Sequence, residues 1–182
     1  MMQKIGVIAD THVPDRTLEL DPKIIQIFNQ ARVDVIMHAG DVCSPKILDQ
    51  LSKIAPVFAV QGNRDVRQLS YLPRKLTIHI GTIIISLIHG HLGKFSFFTQ
   101  KMCFSSKAFQ LFYYDKMLRI EFPSSKIIIF GHTHRSENTW SEGYLLFNPG
   151  SASPTVLGKP KPSVGLIHIQ NQKEISSEII PL

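Results

Sequence analysis

"KIGVIADTH", residues 4–12, runs apolar for most of its length and then breaks on an acid and an imidazole two positions apart. From Lys4 to Ala9 it is short, rich in Ile and Val, and lacks the alternation of a half-exposed strand. It therefore reads as a strand buried on both faces. Asp alone would be an ordinary turn opener after such a strand. Asp10 together with His12 is a different matter if other strands end the same way.

They do. "VDVIMHAGD" (33–41) ends on Gly40-Asp41, and "PVFAVQGNRD" (56–65) on Gly62, Asn63, Arg64 and Asp65. "TIIISLIHGHLG" (82–93) ends on His89-Gly90-His91, and "SKIIIFGHTHR" (125–135) on Gly131-His132-Thr133-His134. Between the first three strands lie two helical patterns. One spans Leu20–Ala31, started by Asp21-Pro22 and carrying Ile24, Ile25, Ile27 and Phe28; the other is opened by Ser44-Pro45 and runs to about Lys53, with Ser44 as its cap. Strand alternating with helix predicts a parallel sheet built of right-handed crossovers, whose ligands sit beyond the carboxyl ends of the strands. After residue 135, "ENTW", "YLLFNPGSAS", "SVGLIHI" and "EISSEII" read as short strands without intervening helices, which predicts mostly antiparallel pairing in the second half. No repeat, low-complexity tract or linker interrupts the chain, so one α/β domain is expected over residues 1–182.

Five strand ends thus contribute Asp10, His12, Asp41, Asn63, His89, His132 and His134. Carboxylates, imidazoles and one amide, with no thiolate, suit Mn²⁺, Fe or Zn²⁺ better than Ca²⁺ or a sulfur-rich structural zinc site. Seven donors exceed the needs of one tetrahedral ion and fit two ions sharing a bridging carboxylate. Two ions ~3.5–4 Å apart hold a bridging hydroxide and clamp the attacking and leaving oxygens of a phosphoryl displacement. Gly40, Gly62, Gly90 and Gly131 flank these donors, as a close approach of backbone to a ligand requires.

The bulk properties exclude several classes. Of 182 residues, 43% are apolar and 19% charged, as in ordinary folded domains. The N-terminus lacks the apolar stretch of a signal peptide, and no run reaches the roughly 18 apolar residues of a spanning helix, so no membrane association is expected. Cys43 and Cys103 form no CxxC pair, which points to a reducing compartment, the cytoplasm. The net charge of +6 comes from scattered basic residues; it favours anionic ligands such as phosphate esters and argues against nucleic acid as a partner.

"DTH", "GD", "GNRD", "HGH" and "GHTH", in that order, resemble the motifs of the calcineurin-like metallophosphoesterases. The resemblance is closest to their small bacterial and archaeal phosphodiesterase group, which also includes a similar subunit of the eukaryotic retromer. It covers nearly the whole chain, from Lys4 past "FNPGS" (147–151). It implies two mixed β-sheets packed face to face and flanked by helices, a four-layer αββα sandwich. It assigns Asp10, His12 and His134 to one divalent ion and Asn63, His89 and His132 to the other, with Asp41 as the catalytic bridge. Mn²⁺ is the expected metal, with Ni²⁺, Zn²⁺ or Fe as alternatives. The implied activity is that of a phosphodiesterase or phosphatase acting on a small phosphoester, with a bridging hydroxide attacking phosphorus in line. The alternative is a metal-binding scaffold with little turnover, as the retromer subunit warns.

Two positions depart from the common pattern or adjoin it. Many superfamily members carry a proton-donating His after the motif Asn, where this chain has Arg64. Arg64 is expected to bind substrate by clamping a phosphate oxygen, the other reading being an exposed Arg paired with Asp65. His91 is a second candidate for contact with substrate. His38 reads as a satisfied core imidazole, His79 and His168 as structural, and Asn148-Pro149-Gly150-Ser151 as the floor of the site. Residues 94–122 are crowded with aromatics. A helix from about Ser105 to Ile120 is expected to bury Phe109, Phe112, Met117 and Ile120, and Phe95 to Phe104 could form a lid or a homo-oligomer contact.

Overall fold

The computed structural model describes residues 2–91, 107–154, 160–171 and 173–182, with side chains between 107 and 154 described from residue 114 onward. Ten strands form two five-stranded sheets. The first holds β1 (Met2–Ile8), β2 (Val35–His38), β3 (Val57–Ala59), β9 (Ser163–Gln170) and β10 (Glu174–Pro181), in the order β10-β9-β1-β2-β3. The second holds β4 (Lys75–Ile80), β5 (Ile83–Ile88), β6 (Ile127–Phe130), β7 (Glu137–Ser141) and β8 (Tyr144–Asn148), in the order β4-β5-β6-β8-β7. Helices α1 (Pro22–Ala31) and α2 (Pro45–Ser52) make the crossovers β1-α1-β2 and β2-α2-β3, and α3 (Lys107–Glu121) lies between β5 and β6 in sequence.

The strand period of two divides each central strand between two cores. In β1, Ile5 and Val7 join Val35, Met37, Ile167 and Ile169 in a cluster that also holds Ile85, Leu87, Ile127, Ile129, Leu145 and Phe147 of the second sheet. That cluster is the contact between the sheets. Ile8 and Ile36 point the other way, onto Ile24 and Phe28 of α1 and Ile47 and Leu51 of α2. The outer face of the second sheet, Ile128, Phe130, Tyr144 and Leu146, meets Tyr114, Leu118 and Phe122 of α3 and its end. The result is helices, sheet, sheet, helix, the mixed two-sheet α/β sandwich that the motifs imply. Being covered on both sides explains why "KIGVIA" is continuously apolar.

The start of α1 follows its chemistry: the Asp21 side chain accepts from the Lys23 N–H at 2.9 Å and Pro22 fills the first turn. Ser44 takes the corresponding position before α2, but its side chain makes no capping bond, and Pro45 alone marks that start.

The structure refines three expectations. The second half of the chain is mostly antiparallel, as expected, β9 running antiparallel to β1 as well, and β8 is the exception. β7 and β8 form an antiparallel hairpin, as do β9 and β10, yet β8 inserts beside β6 and runs parallel to it, Ile127 opposite Leu145. The hairpin thereby leaves the more polar "ENTWS" at the sheet edge and buries "YLLFN" centrally. The segment "KLTIHI", expected to be a strand only through His79 and without bounds, is strand β4, antiparallel to β5 with alternating exposure. Finally, α3 buries Tyr114 and Leu118, while Ile120 is 71% exposed and Met117 only half-buried. Apolar residues occur all round this helix, so spacing alone left its phase open. The Tyr114 ring decides it by stacking on Phe130 at 5.4 Å. Phe95 to Phe104 lie outside the described residues, as do the side chains of Phe109 and Phe112.

Candidate metal centre

Asp10 and His12 leave the end of β1 together with Asp41 from the end of β2. The two exits are laced by backbone bonds, Asp10 N–H to Gly40 O at 3.0 Å and His12 N–H to Asp41 O at 3.1 Å. Asn63 follows β3, His89 follows β5, and His132 and His134 follow β6. Parallel register carries these ends to one side of the molecule.

The local backbone is strained to aim these side chains. Asp10, His12, Asp41, Cys43, His132 and His134 all adopt positive φ, between 47° and 69°. Non-glycine residues seldom do so, and a cluster of them marks a site where tertiary structure over-determines the chain. The glycines solve a different problem, that of proximity. A Cβ on Gly62 would lie 2.1 Å from Asp41 Oδ1, and one on Gly131 would lie 2.8 Å from the Ala39 carbonyl.

Around Asp10 the donors converge. Its Oδ2 accepts from the His132 N–H at 3.0 Å, whereas its Oδ1 is buried with no hydrogen-bond partner. His134 Nε2 stands 3.3 Å from Oδ1, and His12 Nε2 stands 3.2 Å from His134 Nε2. Around Asp41, Oδ1 accepts from the Arg64 N–H at 2.8 Å and lies 3.4 Å from His89 Nε2, while Oδ2 lies 3.7 Å from His12 Nε2. Asp41 thus offers one oxygen to each half of the cluster. His89 donates from Nδ1 to the Ala39 carbonyl at 2.7 Å, which turns its Nε2 towards Asn63 Oδ1 at 3.1 Å. The His132 ring meets the His89 ring edge-on at 5.0 Å.

The electrostatics match a seat for cations. Burial alone would raise the Asp10 and Asp41 carboxyls, but the surrounding imidazoles outweigh it and hold both below the usual carboxylate range. Burial drives His12 and His132 down to about 4, so they are neutral lone-pair donors at neutral pH. At His89 burial also disfavours charge, yet the hydrogen bond to Asp41 and the charges of Asp10 and Asp41 win and raise it to about 9. Without a cation, two buried carboxylates draw a proton onto this imidazole. The orphaned Asp10 Oδ1, facing two imidazole nitrogens with no hydrogen bond to satisfy it, fits a cation in the same way. Two overlapping donor groups, Asp10 with His12 and His134 and Asp10 with Asp41 and His89, each have their ligand atoms within 4.8 Å of one another.

The remaining sequence expectations divide. His91 is half-buried, its ring 5.3 Å from that of His89, and its buried Nδ1 has no hydrogen-bond partner among the described residues. The Arg64 side chain is exposed and, among the described residues, forms no ion pair with Asp65. His38 is buried and meets Thr11 Oγ1 through Nε2 at 3.2 Å, but its Nδ1 has no hydrogen-bond partner, so it is only half satisfied. Asn148 braces the GHTH turn, donating to Gly131 O at 3.0 Å and Thr133 Oγ1 at 3.1 Å. Ser151 and Ser153 both donate to Asp10 O at 3.1 Å. Three neighbours have places at the site that the sequence reading did not assign. Asp65 accepts three backbone N–H groups, Cys43 Sγ lies 3.8 Å from His12 Nδ1, and Arg16 reaches His134. Only Asp65 had a signal, as the short acceptor that closes a turn three residues after Gly62.

A two-sheet sandwich with clustered His and Asp donors at its strand ends is a candidate seat for divalent cations. The chain matches the calcineurin-like phosphoesterase superfamily domain over residues 2–172 and belongs to that family. It is 37% identical to a probable metallophosphoesterase of Methanothermobacter thermautotrophicus, over 97% of this chain and 91% of that protein. Among solved structures it is similar to wild-type Vps29 of Entamoeba histolytica complexed with zinc, at TM-score 0.71 and 25% identity, covering 98% of this chain and 99% of that one. It also shares the fold of a novel archaeal phosphodiesterase, at TM-score 0.70 and 22% identity, covering 98% of this chain and 100% of the other. Family and donor cluster together support a metal-dependent phosphoesterase.

Proposed function

We propose that this phosphoesterase is a phosphodiesterase with a dinuclear site, built as one domain over residues 1–182 and working in the cytoplasm. Asp10, His12 and His134 hold one ion, Asn63, His89 and His132 the other, and Asp41 serves both. The observation that supports this most directly is the geometry of Asp41, whose two oxygens face His89 and His12. Mn²⁺ is the favoured metal, with Ni²⁺, Zn²⁺ or Fe as alternatives. When bound, the ions supply Lewis acidity and a nucleophilic water near neutral pH.

The chain's own residues do the rest. His89, held by the Ala39 carbonyl, aims its Nε2 at the site, where it would bind an ion on losing its proton. Arg64 sets Asp41 through its backbone N–H, and its exposed side chain beside that anchor is free to reach a phosphate oxygen. His91, with an uncommitted Nδ1, stands beside His89 where it can meet the substrate or give a proton to the leaving oxygen. Among the described residues no helix is long and apolar enough to cross a membrane. The substrate is taken to be a small phosphoester rather than nucleic acid.

The likeness to zinc-bound Vps29 favours one second reading, a metal-binding chain that docks other proteins and turns over little. A metal-by-substrate screen on the purified chain separates the two. It should compare aryl phosphodiesters, monoesters and cyclic nucleotides with Mn²⁺, Ni²⁺ or Zn²⁺ against Asp41→Asn. Metal-dependent hydrolysis lost in that variant is expected; no turnover above the variant on any ester would sink the enzyme reading.

A further inference from the structure

We propose that Arg16 is a second phosphate-binding guanidinium of this site, whose contact with His134 Nδ1 is incompatible with a cation on His134 Nε2, so that cation binding turns it to the substrate. This rests on the dinuclear reading above and adds a residue and a coupling to it.

Arg16 follows β1 on the turn that begins at His12, where its backbone N–H donates to His12 O at 2.8 Å. The turn folds back over the cluster, so that Arg16 Nη1 lies 3.1 Å from His134 Nδ1. A guanidinium can only donate, so in this contact Nδ1 is the acceptor. The other nitrogen, Nε2, faces Asp10 Oδ1 at 3.3 Å and His12 Nε2 at 3.2 Å, the position of a ligand atom. A neutral imidazole that gives its Nε2 lone pair to a cation carries its proton on Nδ1. A protonated Nδ1 cannot accept from Arg16. Loading His134 through Nε2 therefore dismisses the guanidinium, which is exposed and one imidazole away from the ion seat.

Arg64 is anchored beside a different donor, its backbone N–H on Asp41 Oδ1. Two guanidiniums, one by each half of the donor set, suit a phosphoryl group lying across both ions. The coupling has a further consequence: a strongly anionic ligand finds Arg16 free only in the loaded site.

The test uses inorganic phosphate and Zn²⁺ as probes, with Arg16→Gln and Arg16→Lys. In the zinc-loaded chain, phosphate affinity should fall about tenfold or more in Arg16→Gln, as for loss of one hydrogen bond to a charged group, and recover partly in Arg16→Lys. Zinc affinity in Arg16→Gln should be equal to wild type or a few-fold higher, because a competing contact and a positive charge have gone. An Arg16 that merely braces its loop would lower zinc affinity instead. Nitrogen NMR of the zinc-loaded wild type should find the His134 proton on Nδ1. Phosphate affinity within twofold of wild type, weaker zinc binding, or a His134 proton on Nε2 in the loaded chain would each overturn the assignment of Arg16. Failure of the wild type to bind zinc at all would overturn the dinuclear reading, and this assignment with it.

Discussion

The carboxylate of Asp65 receives the backbone N–H of Asp41 at 2.9 Å, and with it those of Cys43 at 2.8 Å and Gly62 at 2.7 Å. One buried side chain thus ties the loop after β2 to the loop after β3, and sets the angle at which Asp41 enters the site. Removing it strands backbone donors with no water to take them. Asp65→Ala is expected to cost about 3 kcal/mol of folding stability and to weaken cation binding as well. Asp65→Asn, which keeps one acceptor oxygen, should cost less. Chemical denaturation alongside metal titration checks this; an Asp65→Ala chain as stable as wild type would refute it.

Single ligand truncations should separate the two ions. His134→Ala and Asn63→Ala remove donors assigned to different ions, so each is expected to lower metal content from two per chain towards one. Asp41→Asn should weaken both. Metal content of the wild type determined by mass spectrometry at one per chain would end the two-ion mechanism.

Cation affinity should rise with pH. In the metal-free chain His89 keeps a proton up to about 9, and it must lose that proton to give its Nε2 lone pair to an ion. The loaded state then holds fewer protons, so linkage makes affinity climb by about tenfold per pH unit and flatten above the His89 value. His12 and His132, at about 4, are already neutral there and add no slope. Zinc affinity measured by competition from neutral pH upwards tests the sign. A flat profile would contradict it.

Arg64 in place of the common His predicts substrate preference. With no proton donor at that position, diesters bearing a good leaving group such as nitrophenolate should be cleaved faster than monoesters or alkyl esters. Arg64→Ala is expected to raise the barrier by about 3 kcal/mol, the cost of one preorganised electrostatic donor. Arg64→His should restore some monoester activity by supplying an acid. A wild type that prefers monoesters would reverse this reading.

The face of α3 is testable by truncation. Leu118 is 1% exposed and Ile120 is 71% exposed. Leu118→Ala should cost roughly 2–5 kcal/mol. Ile120→Ala should stay within about 0.5 kcal/mol of wild type. Equal effects on melting would show that the helix phase is wrong.

The sequence by itself determined the strands that build the site and the donors at their ends. A strand buried on both faces must be continuously apolar, so its sudden stop at Asp10, Asp41, Asn63, His89 or His132 is visible in one dimension. The α1 and α2 crossovers were legible for the same local reasons, a Pro in the first turn and apolar residues at helical spacing. Three things were decided only in space. The pairing of β8 with β6 depends on which strand of a hairpin is apolar enough for a central place, a comparison no local pattern contains. The phase of α3 depends on Tyr114 finding Phe130, because apolar residues surround that helix. The supports of the site, Asp65 beneath Asp41 and Arg16 on His134, are contacts between loops far apart in the chain or merely close in it by accident of folding. Periodicity registers which face of an element is buried; which side chain its hydrogen bonds reach is settled only when the two sheets close on one another.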